Sequence, residues 1–158
     1  MDAKYIVVLI LVAGLVGGVS NNYIGDYLSN SSDEEKNDGT TDQVKVGKQA
    51  PDFTITNVDG NEFNLSDFKG EKVIVIEFMN TGCGTCHNFE KNVLKSYYNN
   101  TTRPSDVEII SVTQGNEDRD DVADRVQGNW IYAIGNDEMT DAFEAERSPT
   151  VVIIDKEG

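Results

Sequence analysis

At 158 residues, the chain has room for one domain of roughly 110 residues once a non-globular start is set aside. Its formal net charge of −15 speaks against nucleic acid and anionic membrane surfaces as partners, because both repel it. The two cysteines and the single histidine stand together as Cys83, Cys86 and His87, so whatever thiol chemistry the chain performs is confined to one place.

Residues 1–25 open with Lys4 ahead of an almost purely apolar run from Ile6 to Val19. This reads as an export signal with Lys4 kept inside and the remainder translocated. Gly18-Val19-Ser20 is a passable small-residue cleavage site and no lipid-modified cysteine follows it, so the reading favours an uncleaved signal anchor, with a cleaved signal peptide as the alternative. The expected location is outside the cytoplasm, membrane-anchored, or secreted if the segment is cut. Residues 26–44 are rich in Ser, Asn, Asp and Glu and carry too little apolar surface to fold, which makes them an acidic flexible tether. Sequons at Asn30, Asn64, Asn99 and Asn100 matter only in a host that glycosylates exported proteins.

The domain is expected over residues 45–158. "DFTITNV" and "EFNL", separated by Asp59-Gly60-Asn61, predict a β-hairpin. "KVIVIEFM" is a near-continuous β-branched run suited to a central strand buried on both faces, and it leads straight into the cysteines. A helix is predicted from about Thr85 to Asn99, with Phe89, Val93, Leu94, Tyr97 and Tyr98 on its apolar face. Next come a strand in "DVEIISVT", an acidic helix with Val122 and Val126 inward, and a strand in "WIYAI". A helix through Met139, Ala142 and Phe143 and a strand in "TVVIIDKEG" complete the order. Strands alternating with helices of this length imply an α/β fold with βαβ units on a mostly parallel sheet.

C-x-x-C-H is ambiguous alone: a redox dithiol, a c-type haem attachment site or part of a metal site. The pair lies where a buried strand gives way to a helix. There, free N–H groups and the helix dipole favour a thiolate, which makes Cys83 the nucleophile. Cys86, three residues on, is placed to resolve the mixed disulfide that Cys83 forms. As a structural staple the pair is weak, since closing so small a loop gives about 2 kcal/mol against about 4.7 for a hundred-residue loop. Haem attachment would be unusual after a β-branched strand, and it needs a second axial ligand, for which only Met79 or Met139 offers itself. Zinc or Cu(I) on Cys83, Cys86 and His87 lacks the fourth ligand of a closed structural site. His87 is read as a solvated first-turn residue or as a group that tunes the thiolate.

In this order and spacing, "VGKQAPDFTITNVDGNEFNLSDFKGEKVIVIEF", the cysteine pair and "ERSPTVVIID" resemble the thioredoxin-like, membrane-tethered thiol-disulfide oxidoreductases of the TlpA/ResA type, within the wider redoxin group. The resemblance covers about residues 46 to 158 and implies a thioredoxin-like fold that normally adds a further antiparallel strand and a helix after the strand at Thr150, so the domain at 45–158 is expected to be truncated at its C-terminus, with that strand and helix missing. It implies protein thiols and disulfides as partners, among them apocytochrome c, copper-site proteins and secreted disulfides. It also implies an upstream membrane or soluble electron donor, and no cofactor or metal besides the Cys83–Cys86 disulfide. Glu77, six residues before Cys83, falls where thioredoxins place a buried acid beneath the resolving cysteine, and a carboxyl inside "VIVIEFM" should titrate high. Pro149 matches the cis-proline that faces the cysteines. Gly82, Gly84, Thr85, Ser148 and Thr150 become substrate-facing positions. The chain departs from the family in having Gly82 where Trp is usual and Thr85 where Pro is common. Peroxiredoxins share the A-P-D-F opening but need Thr where this chain has Asn80.

Overall fold

The computed structural model describes residues 44–158. The apolar segment at 6–19, Asn30 and all but the last residue of the acidic tether lie outside these residues. Among the described residues no helix is long and apolar enough to cross a membrane.

The hairpin forms as expected, with β1 (Thr54–Asn57) antiparallel to β2 (Glu62–Asn64). Gly60 takes the positive φ that its turn requires. A short 3-10 turn (Leu65–Phe68) leads to β3 (Val73–Met79). The cysteine segment follows as α1 (Gly84–Phe89), a π-helical turn (Glu90–Leu94) and α2 (Lys95–Tyr98), which run on as one helical rod. Then come β4 (Val107–Thr113), α3 (Arg119–Ala123), β5 (Ile131–Ile134), α4 (Asp137–Ala142) and β6 (Thr150–Ile154). The six strands form one sheet in the order β2-β1-β5-β4-β3-β6. The central trio β5, β4 and β3 is parallel, as the alternation of strands and helices implies, while the hairpin and β6 are antiparallel at the two flanks.

Side chains alternate across each strand, so the sheet divides the core in two. Ile74, Ile76 and Phe78 of β3 face a cluster with Ile55, Ile110, Val112, Met139 and Phe143, in which the Phe78 and Phe143 rings lie 5.4 Å apart. The opposite face of β3 meets Cys86, Leu94, Ile109, Val122, Trp130 and Tyr132. The register sets Ser111 of β4 beside Glu77 of β3, and Tyr132 of β5 beside Ser111. One polar row therefore crosses the sheet beneath α1.

Two predicted faces are corrected. Val93 is 50% exposed and Tyr97 37%, so neither belongs to the inward face of the helical rod. The inward line is Cys86, Glu90, Leu94, spaced by one turn each, and the π-helical turn at Glu90–Leu94 shifts the residues beyond it. Val126 is likewise 41% exposed, because α3 ends at Ala123 and the chain beyond turns Arg125 inward instead.

β4 and β5 approach closely at their ends, where the Gly135 N–H donates to Thr113 Oγ1 at 2.9 Å. A Cβ at Gly135 would lie 2.1 Å from the Thr113 carbonyl oxygen, a backbone atom that cannot step aside. Gly135→Ala is expected to lower stability by about 2 to 3 kcal/mol, within the range for overpacking, in urea unfolding followed by circular dichroism.

Candidate active site

Cys83 and Cys86 form a disulfide with an S–S length of 2.09 Å. Cys83 is the N-cap of α1, and its Sγ accepts the Cys86 backbone N–H at 3.0 Å. Thr85 Oγ1 lies 3.2 Å from the same sulfur. These are the groups that stabilise negative charge on Sγ once the disulfide opens. Cys83 is half-buried whereas Cys86 is fully enclosed, so only the first sulfur is open to a large partner. The same enclosure opposes haem attachment, which needs both sulfurs to reach the porphyrin edge. Among the described residues no three His, Cys, Asp or Glu side chains are placed to hold a metal ion.

Gly82, Gly84 and Thr85 are exposed around Cys83, and His87 is exposed one residue past Cys86. The Ser148–Pro149 peptide is cis, as the resemblance implies. Asn80 Nδ2 donates to Ser148 Oγ at 3.0 Å, and that hydroxyl donates to Gln114 Oε1, so the cysteine loop and the proline loop are tied side by side. Thr150 differs from its neighbours: it is buried, and its hydroxyl donates to the Arg147 carbonyl at 2.6 Å.

Glu77 is wholly enclosed, at 0% exposure. Its Oε2 accepts from Ser111 Oγ at 2.6 Å, and that hydroxyl in turn accepts from Trp130 Nε1 at 2.9 Å. Burial, followed by the negative charge of Glu90, pushes the Glu77 carboxyl up to about 8, against the opposing pull of Ser111 and Arg125. Sequence reasoning missed the two residues that share this interior. Glu90 is also at 0% exposure and its carboxyl is raised by burial, held back by Arg125. Arg125 donates to the Asn80 and Cys83 carbonyls, the latter at 3.3 Å, and lies 3.7 Å from Glu90 Oε2. The available signal for Glu90 was its place four residues after Cys86, on the line that continues to Leu94.

A profile of the Redoxin family matches residues 45–158. The chain belongs to that family. Among curated proteins this redoxin is similar to the thiol-disulfide oxidoreductase ResA of Geobacillus kaustophilus, 31% identical over 73% of this chain and 66% of the relative. It is also similar to ResA of Bacillus cereus, 28% identical over 97% of this chain and 81% of that one. Among solved structures it resembles a putative protein disulfide isomerase from Bacteroides thetaiotaomicron, with a TM-score of 0.58, 27% identity and coverage of 73% and 75% of the two chains. The thioredoxin domain of a thiol-disulfide oxidoreductase from Bacteroides vulgatus shares the fold, with a TM-score of 0.60, 24% identity and coverage of 73% and 85%. The redoxin is thus of the TlpA/ResA type, with the disulfide of a thiol-disulfide oxidoreductase at the junction of β3 and α1.

The Glu77 carboxyl binds a proton more tightly folded than unfolded. Its contribution to stability is complete below the unfolded value near 4.3 and is lost as pH rises through about 8. Glu77→Gln cannot ionise and escapes this loss. Relative to wild type, the variant is expected to gain on the order of 4 kcal/mol at pH 8, shrinking to about 1 kcal/mol near pH 5, in urea unfolding across that range. A shallower slope persists in the variant because Glu90 still titrates.

Proposed function

We propose that this redoxin exchanges its Cys83–Cys86 dithiol and disulfide with exported proteins that carry a cysteine pair, such as an apocytochrome c or a copper-site protein, outside the cytoplasm. The observation that carries the reading is the unequal placement of the two sulfurs. One is half-buried at a helix N-cap whose loop is tied to Ser148, and the other is enclosed with Trp130, whose indole N–H reaches the buried Glu77 carboxyl through Ser111. The apolar segment at 6–19 serves as the membrane anchor and the acidic tether holds the domain off the surface. Acidic repulsion from anionic lipid headgroups supports that spacing.

In the reducing direction the Cys83 thiolate attacks a substrate disulfide, and one substrate sulfur leaves as a thiolate. The substrate segment lies across Gly82, Gly84, Thr85 and Ser148, the surface that surrounds Cys83. Cys86 then gives its proton to Glu77 and attacks Cys83 Sγ. The mixed disulfide breaks, the second substrate sulfur leaves, and the Cys83–Cys86 disulfide forms as two electrons pass to the substrate. A donor dithiol, membrane-bound or soluble, restores the reduced pair. The same steps run backwards oxidise a substrate, with the direction set by the potentials of the two partners.

Cys83→Ser is expected to lower dithiothreitol-driven insulin reduction at least ~100-fold, since it removes the attacking sulfur. Cys86→Ala should accumulate a substrate-linked species through Cys83, visible by mass spectrometry. In the reduced wild type, iodoacetamide should alkylate Cys83 before Cys86. Insulin turnover that survives Cys83→Ser, or first alkylation at Cys86, sinks this assignment of roles.

A further inference from the structure

The interior behind the disulfide holds two carboxyls where one proton acceptor would serve. Glu90 opens the π-helical turn one turn after Cys86, and its N–H donates to the Cys86 carbonyl. Like Glu77 it is wholly enclosed, and its charge is among the groups that raise the Glu77 carboxyl. Glu77 Oε1 and both Glu90 carboxyl oxygens have no hydrogen-bond partner there. Two buried carboxylates with a single hydroxyl donor, Ser111, between them cannot both keep their charge in such a place, whereas a proton shared by the pair supplies a second donor and removes one charge. The cation that meets the remaining charge is Arg125, 8% exposed, which also grips the cysteine loop through the Asn80 and Cys83 carbonyls.

We propose that Glu90 and Arg125 are positioning residues for the exchange reaction, holding with Glu77 a single proton between two carboxyls and opposite one guanidinium. The inference rests on the dithiol exchange set out above. With one proton on the pair, the trio carries no net charge. When the resolving step begins, the S–H bond of Cys86 breaks, an O–H bond forms on the second carboxyl, and the sulfur electron pair moves onto Cys83 Sγ as the bond to substrate breaks. The Cys86 thiolate and the guanidinium balance only until the new S–S bond takes the sulfur pair; the negative charge then leaves with the substrate thiolate, and the second carboxyl releases its proton to solvent, which restores the one-proton pair. The substrate thiolate leaves with the electron pair of the broken S–S bond and takes its proton from solvent. The groups facing the trio from the packed elements are Cys86 on α1 and the Tyr132 phenol on β5. Burial holds that phenol protonated, well above its usual range, while its oxygen accepts the Gln127 N–H at 3.1 Å.

The distinguishing consequence is a pair of opposite shifts. Glu90→Gln removes a negative neighbour from Glu77 and leaves Arg125 unbalanced, so the Glu77 midpoint should fall by about one pH unit. Arg125→Met removes the cation, so the midpoint should rise by about as much. The double variant should return toward wild type, and Arg125→Lys, which keeps the charge, should stay near it. The midpoint is read by 13C NMR of the glutamate carboxyls in the oxidised protein. In parallel, the pH profile for release of the second thionitrobenzoate from reduced protein mixed with Ellman's reagent should move the same way.

A merely structural role would impair both variants without opposite shifts. Midpoints that move in the same direction, or not at all, overturn the proposal, as does an NMR shift without a shift in the release profile. Should Arg125→Met fail to fold, Glu90→Gln alone decides by whether its midpoint falls. A wild type that exchanges no disulfide at all instead ends the functional reading on which the inference rests, and the NMR arm separates the two failures.

Discussion

A carboxyl enclosed in the middle of a β-sheet has lost its water, and this is the constraint to which the rest of the site answers. Moving an ionised carboxylate into such a place costs several kcal/mol unless protons, donors or a counter-charge are supplied. Glu77 receives all three. Ser111, its lateral neighbour on β4, gives a hydrogen bond fixed in direction by Trp130. Glu90 comes from the helical rod above and Arg125 from the chain after α3. Three separate elements are thereby committed to one point beneath Cys86, and the loop that carries Cys83 is committed with them through its carbonyls.

The division of labour between the two sulfurs follows from the same packing. Cys83 lies at the end of a rod whose free N–H groups face it, so charge is welcome on its sulfur. Cys86 points the other way, into apolar surroundings with Leu94, Trp130 and Tyr132, where charge is unwelcome until a proton acceptor is beside it. A thiol that is easy to ionise and one that ionises only on demand make a pair that acts in sequence, because the second should not attack before the first has found a partner.

Much of this was legible beforehand. The β-branched runs named every strand from β3 onward, since a strand buried on both faces leaves a continuous apolar signature. The junction of "KVIVIEFM" with the cysteines located the redox pair. Glu77 could be singled out because it was the one charge between Val73 and Met79. Glu90 and Arg125 were not legible in the same way: each stands in a polar stretch where a charge normally faces water. Glu90 goes inward by its place one turn after Cys86 and Arg125 by the early end of α3, while the π-helical turn leaves Val93 and Tyr97 outside and the end of α3 leaves Val126 there. Apolar spacing marks where a helix could bury a face. It does not show a helix changing phase or ending early.

The hydrogen bond from the Trp130 indole to Ser111 adds an optical property to this arrangement. Trp130 is the chain's single tryptophan, stacked on Tyr132 at 5.3 Å between centroids, with its N–H one hydroxyl away from the Glu77 carboxylate oxygen. Indole emission responds to nearby charge, and here every photon of it originates beside the buried proton. The protein therefore carries an intrinsic, unlabelled light source at its proton store, and emission spectra recorded during turnover observe that store directly while the sulfurs trade partners.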